Sequence, residues 1–167
     1  MIIRALPAFL AACALLAVAR AEPVSKSEAR EAIAVLEKSV LSADAAEAAA
    51  TITRFADESE DVLIVVGPET MPWVQESAGP DAKVRELLTA AYIAGNVKAQ
   101  LAKRQPNDDP YNGWLFVLKA YREIRGKKSR ITIPEVEELL AKEKDGTLKK
   151  EADALRKKEQ APQRDII

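Results

Sequence analysis

The sequence has 167 residues, of which 25 are Lys or Arg, 26 are Asp or Glu, one is cysteine and none is histidine, with a formal net charge of −1. The lack of histidine excludes the Ser-His-Asp and Cys-His forms of nucleophilic catalysis. With a single cysteine, the usual zinc, haem and iron–sulfur ligand sets are excluded as well.

The remaining small-molecule chemistries are also poorly supported. The six glycines are scattered singly, so the sequence has no glycine-rich phosphate loop. The spaced acidic loop of a calcium site is missing too. No carboxylate has an evidently apolar setting that would raise its pKa. We therefore name no catalytic residue, no metal ligand and no cofactor.

Residues 1–21 have the pattern of a secretory signal peptide. Arg4 supplies the positive charge, an apolar run extends from Ala5 to Val18, and Ala19-Arg20-Ala21 forms a small-residue cleavage site. The run is shorter than the about 20 residues of a membrane span. We expect cleavage after Ala21, export to the periplasm or the medium, no transmembrane span in the mature chain, and no nucleic-acid partner.

An alternative to a cleaved signal peptide is lipid attachment at Cys13, because the small-residue sequence Leu10-Ala11-Ala12 precedes this cysteine. The apolar run continues beyond Cys13, whereas a lipidated cysteine is normally followed by a polar tether. Cleavage at Ala21 is therefore the interpretation that we favour.

Two helices are predicted at the start of the mature chain, over 26–41 and 45–58. Ser25 and Glu28 have the spacing of a capping box for the first helix. Asp44 is the expected N-cap of the second. Apolar residues recur at steps of three and four along both helices, which indicates that each buries one face.

The run Val62–Val66 has the composition of a buried strand. No second β-rich run follows that could pair with it, so we favour a helical or irregular extended segment that ends at Gly67-Pro68. Trp73 follows in a loop. An exposed tryptophan there would be a binding residue, but we expect it to fold back into the core.

A helical hairpin is predicted next, with helices over 81–104 and 110–125. Asp108 and Asp109 are expected to cap the second helix, and Gly126 to end it. The first helix carries Gly95 in its middle. This glycine indicates either close packing of another helix or room for a ligand, and we favour close packing.

The C-terminal part is predicted to form a helix with a Thr132–Glu135 capping box, a weakly docked charged helix over about 148–159, and a disordered tail over 161–167. The expected fold is all-α: a single domain over 22–160 of five to six helices, arranged as an irregular bundle or stacked helical hairpins around the central hairpin 81–125.

The function that these features favour is an exported, non-catalytic helical protein of the bacterial envelope that binds another protein or serves as a structural adaptor. Aromatic, small and basic residues concentrate in and beside the hairpin. The candidate binding surface therefore comprises Trp73, Tyr92, Gly95, Asn96, Tyr111, Asn112, Trp114, Arg122, Arg125, Lys127, Lys128 and Arg130.

Charge is uneven along the chain. Residues 22–79 carry 12 acidic and 4 basic residues, whereas the densest basic patch lies within 119–130. For an exported protein, this patch predicts either a solvated surface or contact with an anionic surface, an acidic partner or the acidic half of the chain itself.

Two other functions remain open from the sequence. The wide apolar arc of helix 81–104 is consistent with a cavity for a small ligand or lipid. A pair of carboxylates would suffice for glycan cleavage, although capping explains Asp108 and Asp109, the closest pair with a defined place.

Overall fold

The computed structural model describes residues 22–74, 82–128 and 130–160, with side chains up to residue 158. The predicted signal peptide, the cleavage site at Ala21, the alternative lipid site at Cys13 and the predicted tail 161–167 lie outside the described residues. The described residues form six α-helices, one short 3-10 helix (Pro72–Val74) and no strand. The helices are α1 Lys26–Lys38, α2 Ala45–Glu58, α3 Ala82–Lys103, α4 Pro110–Lys127, α5 Pro134–Lys144 and α6 Leu148–Gln160.

The predicted all-α fold with a central hairpin is confirmed. Helices α3 and α4 make the most extensive contact in the described structure, and α1 with α2 forms a second hairpin. Helix α2 packs on α3, whereas α5 and α6 pack on α4. Helix α3 thus lies in the middle of the bundle, which explains its wide apolar arc.

The close approach of α3 and α4 depends on two glycines. A Cβ built on Gly95 would lie 2.4 Å from the carbonyl oxygen of Asn112. A Cβ on Gly113 would lie 2.6 Å from the ring of Tyr92. The close-packing interpretation of Gly95 is therefore confirmed, and Gly113 performs the same role on the facing helix.

Helix α1 begins as predicted and ends earlier than predicted. The capping box is present, with the Ser25 backbone N–H donating to Glu28 at 2.7 Å. The helix ends at Lys38 because Glu123 on α4 accepts hydrogen bonds from the Ser39 hydroxyl and from the Val40 backbone N–H. These bonds draw the chain away from the helical path.

Three predicted caps are wrong. Asp44 precedes α2, but its side chain makes no capping hydrogen bond within the described residues. Gly126 lies inside α4, which ends at Lys127. Among described residues α5 lacks a side-chain cap, and Glu135 forms an ion pair with Arg85 at 3.5 Å instead of completing a capping box.

The core is filled by aromatic and branched side chains from every helix. Trp73 is fully buried, as predicted, with its ring edge against Tyr92 at a centroid distance of 6.0 Å. Helix α6 docks more firmly than its charged sequence predicts, because Leu148 and Ala152 are both buried. Over the described ranges, no helix combines the length and the apolar character needed to cross a membrane.

The glycine contact leads to a first prediction. We expect Gly95→Ala to destabilise the protein, because the added methyl group meets a backbone carbonyl that cannot move away alone. Overpacking typically costs about 1–3 kcal/mol, which exceeds the gain in helix propensity of about 1 kcal/mol.

The control is Gly126→Ala in α4, where a Cβ would meet nothing within 4 Å. This substitution should raise the free energy of unfolding by about 0.5–1 kcal/mol through helix propensity alone. Urea unfolding of both variants measures the difference. Equal stabilisation by the two substitutions would show that α3 and α4 do not approach closely at Gly95.

Candidate functional site

The most unusual surface of the protein is the segment Val62–Val66, which belongs to no helix and no strand. Its helical interpretation is wrong, and the irregular one is confirmed. Two of its apolar side chains face solvent, with Leu63 53% and Val66 68% exposed. The segment thus displays large apolar groups on the surface of an otherwise well-filled helical core.

One side of this segment is bonded to helix α3. The side chain of Gln100 accepts a hydrogen bond from the Leu63 backbone N–H at 2.9 Å and donates one to the Leu63 carbonyl at 2.7 Å. A neighbouring strand makes the same pair of contacts through its own backbone. The side chain of Gln100 therefore substitutes for a strand.

The next bonds on that side involve Val65. Its N–H donates to Asp108 Oδ1 at 3.0 Å, and its carbonyl accepts from the Thr70 hydroxyl at 2.9 Å. The backbone of Thr70 is held in turn, because its carbonyl accepts from the buried Trp114 indole N–H at 2.7 Å. Side chains thus occupy the whole inner edge of the segment.

A buried amide connects these groups. Asn96 lies one turn before Gln100 on α3 and is fully buried. Its carbonyl oxygen accepts from Gln100 at 2.6 Å and from the Asp109 N–H at 3.0 Å, and its amide donates to Asp108 at 2.7 Å. Asn96 therefore ties α3 to the start of α4 and aligns both groups that hold the segment.

The two aspartates have opposite electrostatic settings. Burial raises the pKa of Asp108, and this effect outweighs the hydrogen bonds from Val65 and Asn96. Its Oδ2 atom is buried without a hydrogen-bond partner among the described residues. Burial also acts on Asp109, but hydrogen bonds from Lys103 and Asn112 outweigh it and lower the pKa of that carboxyl.

These settings correct two sequence interpretations. Asp109 caps α4 through the Asn112 N–H, but Asp108 binds the segment instead of the helix end. Asp108 is also a carboxylate in a pKa-raising environment, which the sequence did not indicate. Because only 2% of its surface is exposed, a substrate cannot reach it in this conformation.

The other backbone groups of the segment belong to Val62, Ile64 and Val66, which we call its outer edge. These three residues make no backbone hydrogen bond within the described part of the chain. Val62 is itself buried, whereas Val66 is 68% exposed. Backbone groups without partners beside exposed apolar side chains can accept another extended chain as an added strand.

The residues predicted to form a binding surface do not lie together on one surface. Five of them are buried in the core, where they form the contacts described above: Trp73, Tyr92, Gly95, Asn96 and Trp114. Tyr111 and Asn112 on α4 are partly exposed. Large aromatic and small residues in the hairpin therefore mark the packing of α3 on α4.

Part of the predicted basic patch is neutralised within the protein. Arg122 pairs with Glu143, and Arg125 pairs with Glu137 at 2.7 Å while lying over the Tyr121 ring. Lys119 donates a hydrogen bond to the Glu37 carbonyl at 2.6 Å. Three further cations are exposed and form no ion pair with the described residues: Lys127, Lys128 and Arg130. The end of α4 thus carries positive charge that no described residue neutralises.

An open groove lies between α2 and α3. Its volume is about 610 Å³, and short side chains line much of it, including Ala49, Thr53 and Ala90. Val74 and Arg85 also line it. Nothing in its lining selects an occupant. In the described ranges, no group of three or more acidic or cysteine side chains is placed to hold a metal ion.

Sequence reasoning missed the roles of Gln100, Asp108 and Thr70. The available signal was the strand-like composition of Val62–Val66 without a second β-rich run. A lone extended segment needs side chains to satisfy its backbone. Asn96, a residue of the predicted binding surface, lies one turn from Gln100 on α3 and indicates where those side chains are.

The contact between Gln100 and the segment leads to a second prediction. Gln100→Leu should lower the free energy of unfolding by about 1–3 kcal/mol, because it removes the hydrogen bonds to Leu63 and Asn96 from a buried site. Hydrogen exchange of the Leu63 amide should accelerate. The control Gln105→Leu makes the same change at an exposed position. Unchanged exchange at Leu63 would contradict the role of Gln100.

A third prediction concerns pH. Because folding raises the pKa of Asp108, this group stabilises the protein fully below the unfolded pKa of about 3.9, and the contribution is lost as pH rises through the folded pKa. Asp108→Asn keeps the acceptor for Val65 and removes the titration. The variant should therefore gain stability relative to the parent between pH 4 and pH 7.

The control for this prediction is Asp153→Asn, because a hydrogen bond from Lys149 lowers the pKa of Asp153. In that variant the stability relative to the parent should change little over the same rise in pH, because the stability from a carboxyl with a lowered pKa is already present above the unfolded pKa of about 3.9. Urea unfolding at both pH values measures the two differences. A change for Asp108→Asn no larger than that for Asp153→Asn would contradict the buried setting of Asp108.

Comparison with known proteins adds no assignment: no protein-family model, no curated protein and no solved structure matches the chain.

Proposed function

We propose that the protein is an exported, non-catalytic protein-binding module that accepts an extended segment of a protein as a strand along the outer edge of Val62–Val66. The observation that supports this proposal is the asymmetry of the segment. Side chains of Gln100, Asp108 and Thr70 occupy its inner edge, whereas the outer-edge backbone groups, beside the exposed Leu63 and Val66, have no hydrogen-bond partner among the described residues.

Strand addition suits this geometry. The backbone groups of the outer edge provide hydrogen bonds, and exposed side chains provide selectivity. The segment is already ordered by bonds to the buried Asn96 network. Binding therefore does not require ordering of the receiving strand, which is a substantial cost when two flexible chains associate.

The other two functions have weaker support. A ligand carrier normally encloses most of its ligand, whereas the groove between α2 and α3 is open. Glycan cleavage requires two accessible carboxylates, whereas Asp108 and Asp109 are both buried. The exposed cations Lys127, Lys128 and Arg130, which form no ion pair with the described residues, provide a second contact for an acidic partner or an anionic surface within the same binding function.

A fourth prediction tests this function with a photo-reactive residue in place of Leu63, in cells that export the full chain. We expect a discrete protein adduct on illumination. Val66→Pro should abolish the adduct, because proline removes an outer-edge donor without breaking any hydrogen bond that the described structure contains. The matched variant Val66→Thr keeps the donor and the branched shape, and should keep the adduct.

Circular dichroism of the two Val66 variants checks that both remain folded. An adduct that survives Val66→Pro unchanged would show that contact at Leu63 does not involve the backbone edge. The absence of any adduct in all variants would overturn the proposed function.

A further inference from the structure

A separate cleft lies where the start of α1, the end of α3 and the residues before Val62 meet. Its volume is about 310 Å³, at the small end of the range of about 300–1,000 Å³ for small-molecule sites. It is also more enclosed than the groove between α2 and α3. Charged side chains form most of its lining: Lys26, Arg30, Glu60, Asp61 and Arg104.

One pair of these charges is neutralised within the cleft, because Lys26 Nζ lies 2.8 Å from a carboxylate oxygen of Asp61. Three other charges are exposed and form no ion pair with the described residues: Arg30, Glu60 and Arg104. The cleft therefore presents two guanidinium groups and one carboxylate to a ligand, each without a charged partner in the described part of the protein.

Arg104 has a backbone conformation that its side chain makes unfavourable. It follows the last residue of α3 with a φ of 55°, in the left-handed region where helices usually end on glycine. The helix end is closed by the backbone alone, since the Gln105 N–H donates to the Gln100 carbonyl at 3.4 Å. Glycine at this position would therefore be less strained than arginine. Strain of this kind is concentrated at functional sites, and Arg104 lines the cleft.

We propose that this cleft binds a small acidic amino acid, whose two carboxylates pair with Arg30 and Arg104 and whose ammonium pairs with Glu60. A guanidinium group offers two parallel N–H donors, which match the two oxygens of a planar carboxylate. Arg30 belongs to α1 and Arg104 follows α3, so two separate carboxylates can each meet one guanidinium. The buried Leu101 adds apolar lining for the methylene groups of the ligand.

The same charges disfavour simpler ligands. An inorganic anion such as phosphate would lie beside the carboxylate of Glu60, and this contact between like charges opposes binding. A neutral amino acid has a single carboxylate and leaves one guanidinium without a partner. An acidic amino acid is complementary to all three charges, so the cleft selects it both by attraction and by repulsion of its competitors.

The amino-acid site does not depend on the proposed contact with a protein, because it uses no backbone group of Val62–Val66. Gln100 also lies in the lining of the cleft, but its side chain is already bonded to Leu63 and to Asn96. The charged side chains of the cleft therefore determine which ligand binds.

Equilibrium dialysis of the full chain against labelled L-glutamate and labelled L-aspartate tests the proposal. We expect saturable binding of at least one of them. The matched competitors lack one charge each: glutarate or succinate lacks the ammonium, and L-glutamine or L-asparagine lacks one carboxylate. Each should compete about tenfold less well than the unlabelled acidic amino acid, because it loses one charge-assisted contact. Inorganic phosphate should compete no better than chloride.

Two substitutions in the cleft identify the contacts. Arg104→Gly should weaken binding about tenfold or more and yet raise the urea concentration at the midpoint of unfolding, because it removes a guanidinium and relieves the strained backbone. Glu60→Gln should weaken binding of the acidic amino acid but not of glutarate or succinate, which carry no ammonium. The control Arg130→Gly removes an exposed cation outside the cleft and should leave the affinity unchanged.

The absence of saturable binding of either amino acid at millimolar concentration would overturn the proposal. Equal competition by phosphate would also overturn it, because it would show a general anion site. So would an unchanged affinity in Arg104→Gly, with correct folding checked by circular dichroism. None of these results affects the photo-adduct at Leu63, which tests the proposed function separately.

Discussion

The close approach of α3 and α4 is the constraint on which the rest of the structure depends. It is permitted by Gly95 and Gly113, where a Cβ would come within 2.7 Å of the facing helix. The approach places Asn96, the residue after Gly95, against the first residues of α4. The polar network that begins at Asn96 forms only at this separation, so backbone packing and the candidate binding site have one physical origin.

The polar network of Asn96, Gln100 and Asp108 provides hydrogen-bond partners for a segment that lies outside every helix. Backbone N–H and carbonyl groups near the core need partners, and no sheet supplies them in the described residues. Gln100 on α3 and Asp108 between α3 and α4 supply them from their side chains, which buries a carboxylate oxygen of Asp108 without a hydrogen-bond partner among the described residues. The result is one edge whose backbone groups are bonded and one edge without hydrogen-bond partners among the described residues.

Much of the fold could be predicted from the sequence, because helical periodicity and the Ser25–Glu28 capping box are local signals. The role of Gly95 was predictable for the same reason. Long-range contacts could not be predicted from the sequence. Glu123 on α4 accepts a hydrogen bond from Val40 and thereby ends α1 early. Asp108 accepts a hydrogen bond from Val65 instead of capping α4. The burial of Trp73, Tyr92 and Trp114 was not separable from exposure at the sequence level, because aromatic residues indicate packing as well as recognition.

The bonds between Gln100 and Leu63 also affect how the protein tolerates genetic change. A strand inside a sheet is held by backbone groups, which every residue except proline retains after substitution. Here the corresponding partners are the side chains of Gln100, Asp108 and Thr70, so a single substitution can remove one of them. The segment Val62–Val66 can itself vary among apolar residues, whereas these three positions outside it have little freedom. Heritable variation in this region should therefore be restricted most at residues outside the segment itself.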